Sequence, residues 1–250
     1  MLSTSPFYPN CLRIFKQSPL FGALTEPDLH QIIRDSRRET WESASPIAID
    51  PLERFFVVIK GRVELIRTDA ATGRDLTLFL LHPGDVFDLV PLLDGKPRAL
   101  TPIALDQVTL LSVPLVSVRG WLQTYPLFSQ QLLSYLGRQI RALEDLAGDL
   151  IFHDTITRLG ELLTHHLLPG HQPLTTTTQP LPLIHDLSHE TLARMIGSVR
   201  VVVSRHIQGW KKNGTVSTSR KHLTILNRQA LETNIAIIEK TTSIRKTFSQ

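Results

Sequence analysis

At Pro126 the spacing of apolar residues changes abruptly, and this change confines the chain to an architecture with two kinds of building block. Ahead of it, residues 40 to 113 are short β-rich runs separated by turn residues. FFVVIKGRVELIR (55 to 67) is two such runs around Lys60-Gly61, DLTLFLL (75 to 81) is a third, and HPGDVF (82 to 87) places Pro-Gly in a turn before a fourth. PLLDGKPRALTPIALDQVTLLSVP then supplies a Gly- and Pro-containing loop and two more strands. Short strands at near-regular spacing predict a small antiparallel barrel or sandwich, not a doubly wound sheet. Beyond Pro126, in PLFSQQLLSYLGRQIRALEDLAGDLIF, residues Leu133, Leu136, Ile140, Leu143, Ala147 and Leu150 recur at steps of 3, 4, 3, 4 and 3, a heptad seam. So narrow a stripe on so long a helix predicts a partner helix. The expected partner is a second copy, giving a parallel homodimer; the competing reading lays the helix on its own domain.

A chain of 250 residues that is 42% apolar can bury two modest cores. No apolar run reaches the roughly 18 residues of a membrane span, and MLSTSPFYPNCLRIFKQ lacks the basic start and long apolar centre of a signal peptide, so a cytoplasmic protein with no membrane partner is expected. Cys11 is the single cysteine and cannot by itself hold zinc or an iron–sulfur cluster. His165-His166 lack metal-ligand spacing with a nearby carboxylate, and no Gly-rich phosphate loop opens a helix, so neither a metal site nor an enzyme is predicted. A second helix is expected from about His153 to Leu168, then a polar linker or surface excursion, GHQPLTTTTQPLP (170 to 182). The net charge of +4 hides an asymmetry: from Asp186 onward there are 11 Lys and Arg against 4 Asp and Glu, whereas the preceding residues hold 16 against 19. A basic segment on a near-neutral body points to a nucleic-acid partner, or to a solvated basic tail.

Placement of the charges separates those two readings. In GSVRVVVSRHIQGW (197 to 210), a rotation of about 100° per residue puts Val199, Val203, His206, Ile207 and Trp210 on one side. Arg200, Val201, Ser204, Arg205, Gln208 and Lys211 fall on the other. The valines therefore belong to a helix over about 199–211, not to a strand. Upstream, DLSHETLARMIG offers Ser188 as N-cap, apolar Leu192, Met195 and Ile196, a small Ala193, and Gly197 for a tight turn, which is helix-turn-helix spacing. Such a recognition helix presents its N-terminal residues to double-stranded DNA in the major groove. Arg200 is expected to read a base, Arg205 a base or a phosphate, and Ser204 a phosphate, with Gln208 and Lys211 on the same face. KKNGTVSTSRKHLTIL then gives a Gly turn, a strand, the basic tip Arg220-Lys221 and a second strand: a wing whose tip is expected to grip the phosphate backbone.

IKGRVELI in the roll, PGDVFDLVPLLDG, and LARMIGSVRVVVSR together resemble the cyclic AMP receptor/fumarate-nitrate reductase regulator family of bacterial transcription factors. The resemblance covers nearly the whole chain. It implies an α+β fold with an N-terminal antiparallel β-roll of the cyclic-nucleotide-binding, jelly-roll kind preceded by helices (1–125), a long dimerisation helix (126–153), and a C-terminal winged helix-turn-helix with a tail (154–250). It also implies a homodimer on a palindromic operator, a small-molecule effector in the roll, and RNA polymerase as a further partner. Departures narrow the effector. Where the cyclic-AMP pocket has Gly-Glu and Arg-Ser pairs, this chain has Asp88-Leu89 and Arg98-Ala99, so a carboxylate for the ribose is missing and Asp88 would face the phosphate, which argues against cyclic AMP. The oxygen sensors' cysteine cluster and the haem sensors' roll histidine are both absent, arguing against iron–sulfur and haem. GSVRVVVSR looks most like the recognition helix of the cyanobacterial nitrogen-control regulators, which sense 2-oxoglutarate, and Val201 suits a thymine methyl. In that branch's ligand set Phe87, Arg98 and Glu144 match, whereas Asp88 replaces a glycine and Gln139 an arginine. The resemblance therefore implies shared DNA specificity with either a 2-oxoglutarate-like effector or a vestigial roll and constitutive binding.

Overall fold

The computed structural model describes residues 7–46, 54–97, 99–165, 184, 186–219 and 222–231. Helices α1 (Phe7–Gln17) and α2 (Glu26–Arg34) precede strands β1 (Arg37–Trp41), β2 (Arg54–Lys60), β3 (Val63–Thr68), β4 (Asp75–Leu81) and β5 (Val86–Phe87). Then come helix α3 (Leu89–Asp94), strands β6 (Thr101–Ala104) and β7 (Val108–Pro114), and helices α4 (Leu115–Thr124) and α5 (Pro126–Phe152). The strands form two antiparallel sheets, ordered β1-β7-β2-β5 and β4-β3-β6. The chain divides within α5 into two compact units, the first ending at Leu143 and the second beginning at Glu144.

The continuous apolar run FFVVI explains how the first unit is layered. A strand covered on both faces needs apolar residues at every position, not at every second one. Phe56 and Val58 join Val63, Leu65, Leu81, Phe87, Ala104, Val108 and Leu110 in one buried cluster contributed by both sheets. Phe55, Val57 and Ile59 point the other way and pack with helical residues that include Phe15, Ile32, Leu92, Trp121 and Phe128; Phe55 and Val57 pair in register with β7 (Val113 and Leu111), and Ile59 falls at the irregularity between Val58 and Lys60. Cys11 lies in this second cluster, fully buried, and burial pushes its thiol up to about 12, so it behaves as a small apolar residue. One face of α5 (Phe128, Leu132, Tyr135) completes the same core.

The loop expected over PLLDG contains a short helix instead. Pro91 is the third residue of α3, where a backbone N–H has no helical acceptor, so proline costs no hydrogen bond. Gly95, at φ +70°, ends the helix by returning its N–H to the Pro91 carbonyl at 3.1 Å.

In the second unit, α6 (Thr155–His165) is capped by Asp154, whose Oδ1 accepts from the Thr157 N–H at 2.9 Å. Ser188 caps α7 (His189–Met195) as its position predicts, accepting from the Thr191 N–H at 3.1 Å. Gly197 takes φ +60° in the turn before α8 (Arg200–Lys212), and strands β8 (Val216–Ser219) and β9 (His222–Ile225) pair as the expected wing. Leu192, Ala193, Met195, Ile196, Val203, Ile207, Trp210, Val216, Leu223 and Ile225 are all buried. Val199 departs from the expected core face. It is the N-cap of α8, in extended backbone and 42% exposed, because the helix starts one residue later than the valine run.

Candidate nucleic-acid interface and effector region

Helix α8 has two dissimilar sides. Val203, Ile207 and Trp210 are buried, and around the opposite arc of about 140° Arg200, Val201, Arg205, Gln208 and Lys211 are exposed. Val201 is 67% exposed, an apolar side chain with no core to enter. Its first turn holds no acidic residue, so the positive end of the helix dipole and Arg200 reinforce one another. Lys211 and Lys212 close the last turn. Such a face attracts a polyanion and offers Arg, Gln and an apolar group to whatever lies against it.

Ser204 sits within this arc but is half-buried, its Oγ hydrogen-bonded to His189 Nδ1 at 2.8 Å. No local spacing announces that contact, since residues 15 apart meet only when α7 and α8 cross. Burial first, and the nearby Arg200 charge second, hold the His189 ring below the usual histidine range. His206 bonds Thr155 Oγ1 at 3.0 Å and is likewise lowered, by burial above all and by Arg205, against an opposing pull from Asp154. The wing tip, Arg220 and Lys221, lies outside the described residues.

Of the five effector candidates, four lie among the described residues. Phe87 is buried in the cluster shared by the two sheets and stacks on Phe56 with ring centroids 4.8 Å apart. Leu89 belongs to the helix-covered cluster. Asp88 between them is buried at φ +67°, in the left-handed region where glycine is easiest and aspartate is among the tolerated exceptions. Glu144 is exposed on α5, in the second unit, and Arg98 lies outside the described residues. A link missed in the sequence joins the roll to α5: Tyr135 Oη donates to Asp85 Oδ1 at 3.2 Å and accepts from the Val86 N–H at 3.3 Å. Burial, with Asp85 alongside, pushes the Tyr135 hydroxyl up, so it stays protonated and able to donate. Asp149, His153 and Glu161 form a second missed cluster, within the second unit. Its only sequence signal was the i,i+4 spacing of Asp149 and His153.

A β-roll followed by a long helix and a winged helix-turn-helix defines a transcription regulator with a sensor-type unit and a DNA-binding unit. Comparison with known proteins places it further. Residues 48–125 match the cyclic nucleotide-binding domain and residues 157–233 the Crp-like helix-turn-helix domain. The global nitrogen regulator of Synechocystis sp. is 30% identical over 197 residues, covering 77% of this chain and 86% of that protein. The CRP-like cAMP-activated global transcriptional regulator of Mycobacterium tuberculosis is 28% identical over 182 residues, 73% of this chain and 80% of that one. The c-di-GMP responsive global regulator CLP of Xanthomonas campestris superposes with a TM-score of 0.67 at 19% identity, over 80% of this chain and 99% of that chain, a likeness of fold. The chain belongs to the cyclic AMP receptor/fumarate-nitrate reductase regulator (CRP/FNR) family.

Proposed function

We propose that two copies of this chain pair through the α5 seam and set their α8 helices in successive major grooves of a palindromic operator, about 34 Å apart. The carrying observation is the α8 face, on which Arg200, Val201, Arg205 and Gln208 are exposed while Val203, Ile207 and Trp210 on the other side of the helix are buried. In this reading Arg200 takes a guanine edge bidentately, Val201 meets a thymine methyl, and Arg205 takes a base or a phosphate. Ser204, Lys211, Arg220 and Lys221 hold phosphates. Residues 1–125 serve as sensor, 126–153 as dimerisation helix and 154–250 as DNA-binding part, with RNA polymerase as a further partner in the cytoplasm.

A small molecule in the roll, near Phe87, Asp88, Leu89, Arg98 and Glu144, then biases the posture of α5 by population shift. A 2-oxoglutarate-like dicarboxylate is the first candidate, because several relatives are global nitrogen regulators. The burial of Phe87 and Leu89 in separate cores favours a second reading, constitutive binding with a vestigial roll. Fluorescence anisotropy of a labelled GTA-type palindrome, titrated with the full chain with and without millimolar 2-oxoglutarate at one salt concentration, separates them. Tighter binding with the metabolite supports the sensor. Specific but unchanged binding, repeated with cyclic AMP, supports the constitutive reading, and equal affinity for random DNA overturns the operator proposal.

A further inference from the structure

Asp149, in the last turn of α5, and His153, just beyond it, lie four residues apart on one helix face, and α6 brings Glu161 to the same place. All three ligand atoms fall within 4.8 Å of one another. His153 Nδ1 is 3.2 Å from Glu161 Oε2 and 3.4 Å from Asp149 Oδ1. One ring nitrogen carries one proton, and one N–H cannot point well at two carboxylates on different helices. A metal ion can serve all three donors at once. Donors held about 2.0–2.2 Å from a tetrahedral ion stand roughly 3.3–3.6 Å apart, close to both distances here. The electrostatics agree. With Glu144, Asp145 and Asp149, the final turns of α5 carry no Lys or Arg beyond Arg141, and they do so at the negative end of the helix dipole, where anions are disfavoured. One guanidinium, Arg158, answers Asp149 and Asp154 from α6, and burial dominates the lowering of its own proton affinity.

We infer that Asp149, His153 and Glu161 form a binding site for a divalent transition-metal ion, zinc being the best match to one imidazole and two carboxylates, with water completing the shell. The two carboxylate charges are what a divalent ion cancels. The bound ion cross-links the end of α5 to α6, two elements otherwise joined by the short turn at His153-Asp154. None of this depends on the operator reading, because no residue of the site belongs to α8.

The test is equilibrium dialysis of the metal-free full chain against zinc, with cobalt(II) absorption as an independent readout of the donor set. Wild type should take up one high-affinity zinc per chain and show visible cobalt bands. Glu161→Gln and His153→Gln, each checked for folding by circular dichroism, should weaken zinc binding at least about ten-fold. A His165→Gln/His166→Gln/His171→Gln variant, which removes the other nearby histidines in sequence, should retain it. Zinc should also raise the thermal midpoint of wild type and leave that of Glu161→Gln unmoved. Binding that survives both single substitutions, that vanishes only in the triple variant, or that is absent at near-millimolar zinc overturns the site.

Discussion

Arg200 is the first helical residue of α8, exposed, and beside the positive end of the helix. If it reads a base, Arg200→Ala should cost about 1–3 kcal/mol on the specific operator and relax preference at one base pair. Competition anisotropy against operators mutated one pair at a time checks this, and equal losses on specific and random DNA would assign Arg200 to the backbone. His189 and His206 carry a different prediction. Both are held below the usual histidine range, so below about pH 6.5 the unfolded chain binds protons that the folded chain refuses. Stability is therefore complete above that pH and falls as pH drops toward the folded values. Thermal midpoints measured from pH 7.5 to 5 should decline, and His206→Gln should make the decline shallower; an unchanged slope would mean that other groups set it. At this scale the sequence was half legible. The exposed and buried sides of α8 follow from a period of 3.6, whereas the His189–Ser204 pair and the Asp149–His153–Glu161 cluster arise from helix crossings that no local spacing encodes.

Among the elements, α5 presents two different apolar faces. Phe128, Leu132 and Tyr135 are buried against the first unit's core, while Leu133 and Ile140, on an adjacent face, are 71% and 57% exposed. Leu143 and Ala147 continue the exposed stripe. Apolar side chains left open at heptad spacing are unfavourable in water unless a second helix covers them. Leu133→Glu combined with Ile140→Glu should convert a dimer to a monomer by analytical ultracentrifugation, with circular dichroism unchanged because neither residue belongs to the core. A wild-type monomer, or a variant that remains dimeric, would remove the seam from the proposal. The sequence displayed this stripe clearly because helical period and apolar composition coincide there. It concealed α3, since Pro91 and Gly95 look like loop residues until proline is placed in the first turn and glycine just past the last. Val199 departs from the helical pattern for a related reason: the apolar run extends one residue beyond the point where the backbone is helical.

For the whole molecule, charge and architecture divide along the chain together. The excess of basic residues lies from Asp186 onward, in the part that carries α7, α8 and the wing, while the β-roll precedes it on a slightly acidic stretch. That order was legible because charge and hydrophobic period are both properties of sequence alone. The arrangement of two α8 helices in the proposed dimer is not, because it requires a second copy. DNA geometry can report on it. If a dimer grips both half-sites, their centres must lie about one helical turn apart, and inserting about five base pairs rotates one half-site to the opposite side of the duplex. Affinity should then drop to that of an isolated half-site, and the salt dependence should become shallower, since half of the phosphate contacts are lost and fewer counterions are released. Measuring anisotropy for both spacings across a salt series reads the two effects together. A chain that bound as independent copies would show neither change, and a chain held mainly by non-specific charge would keep its steep salt slope whatever the spacing.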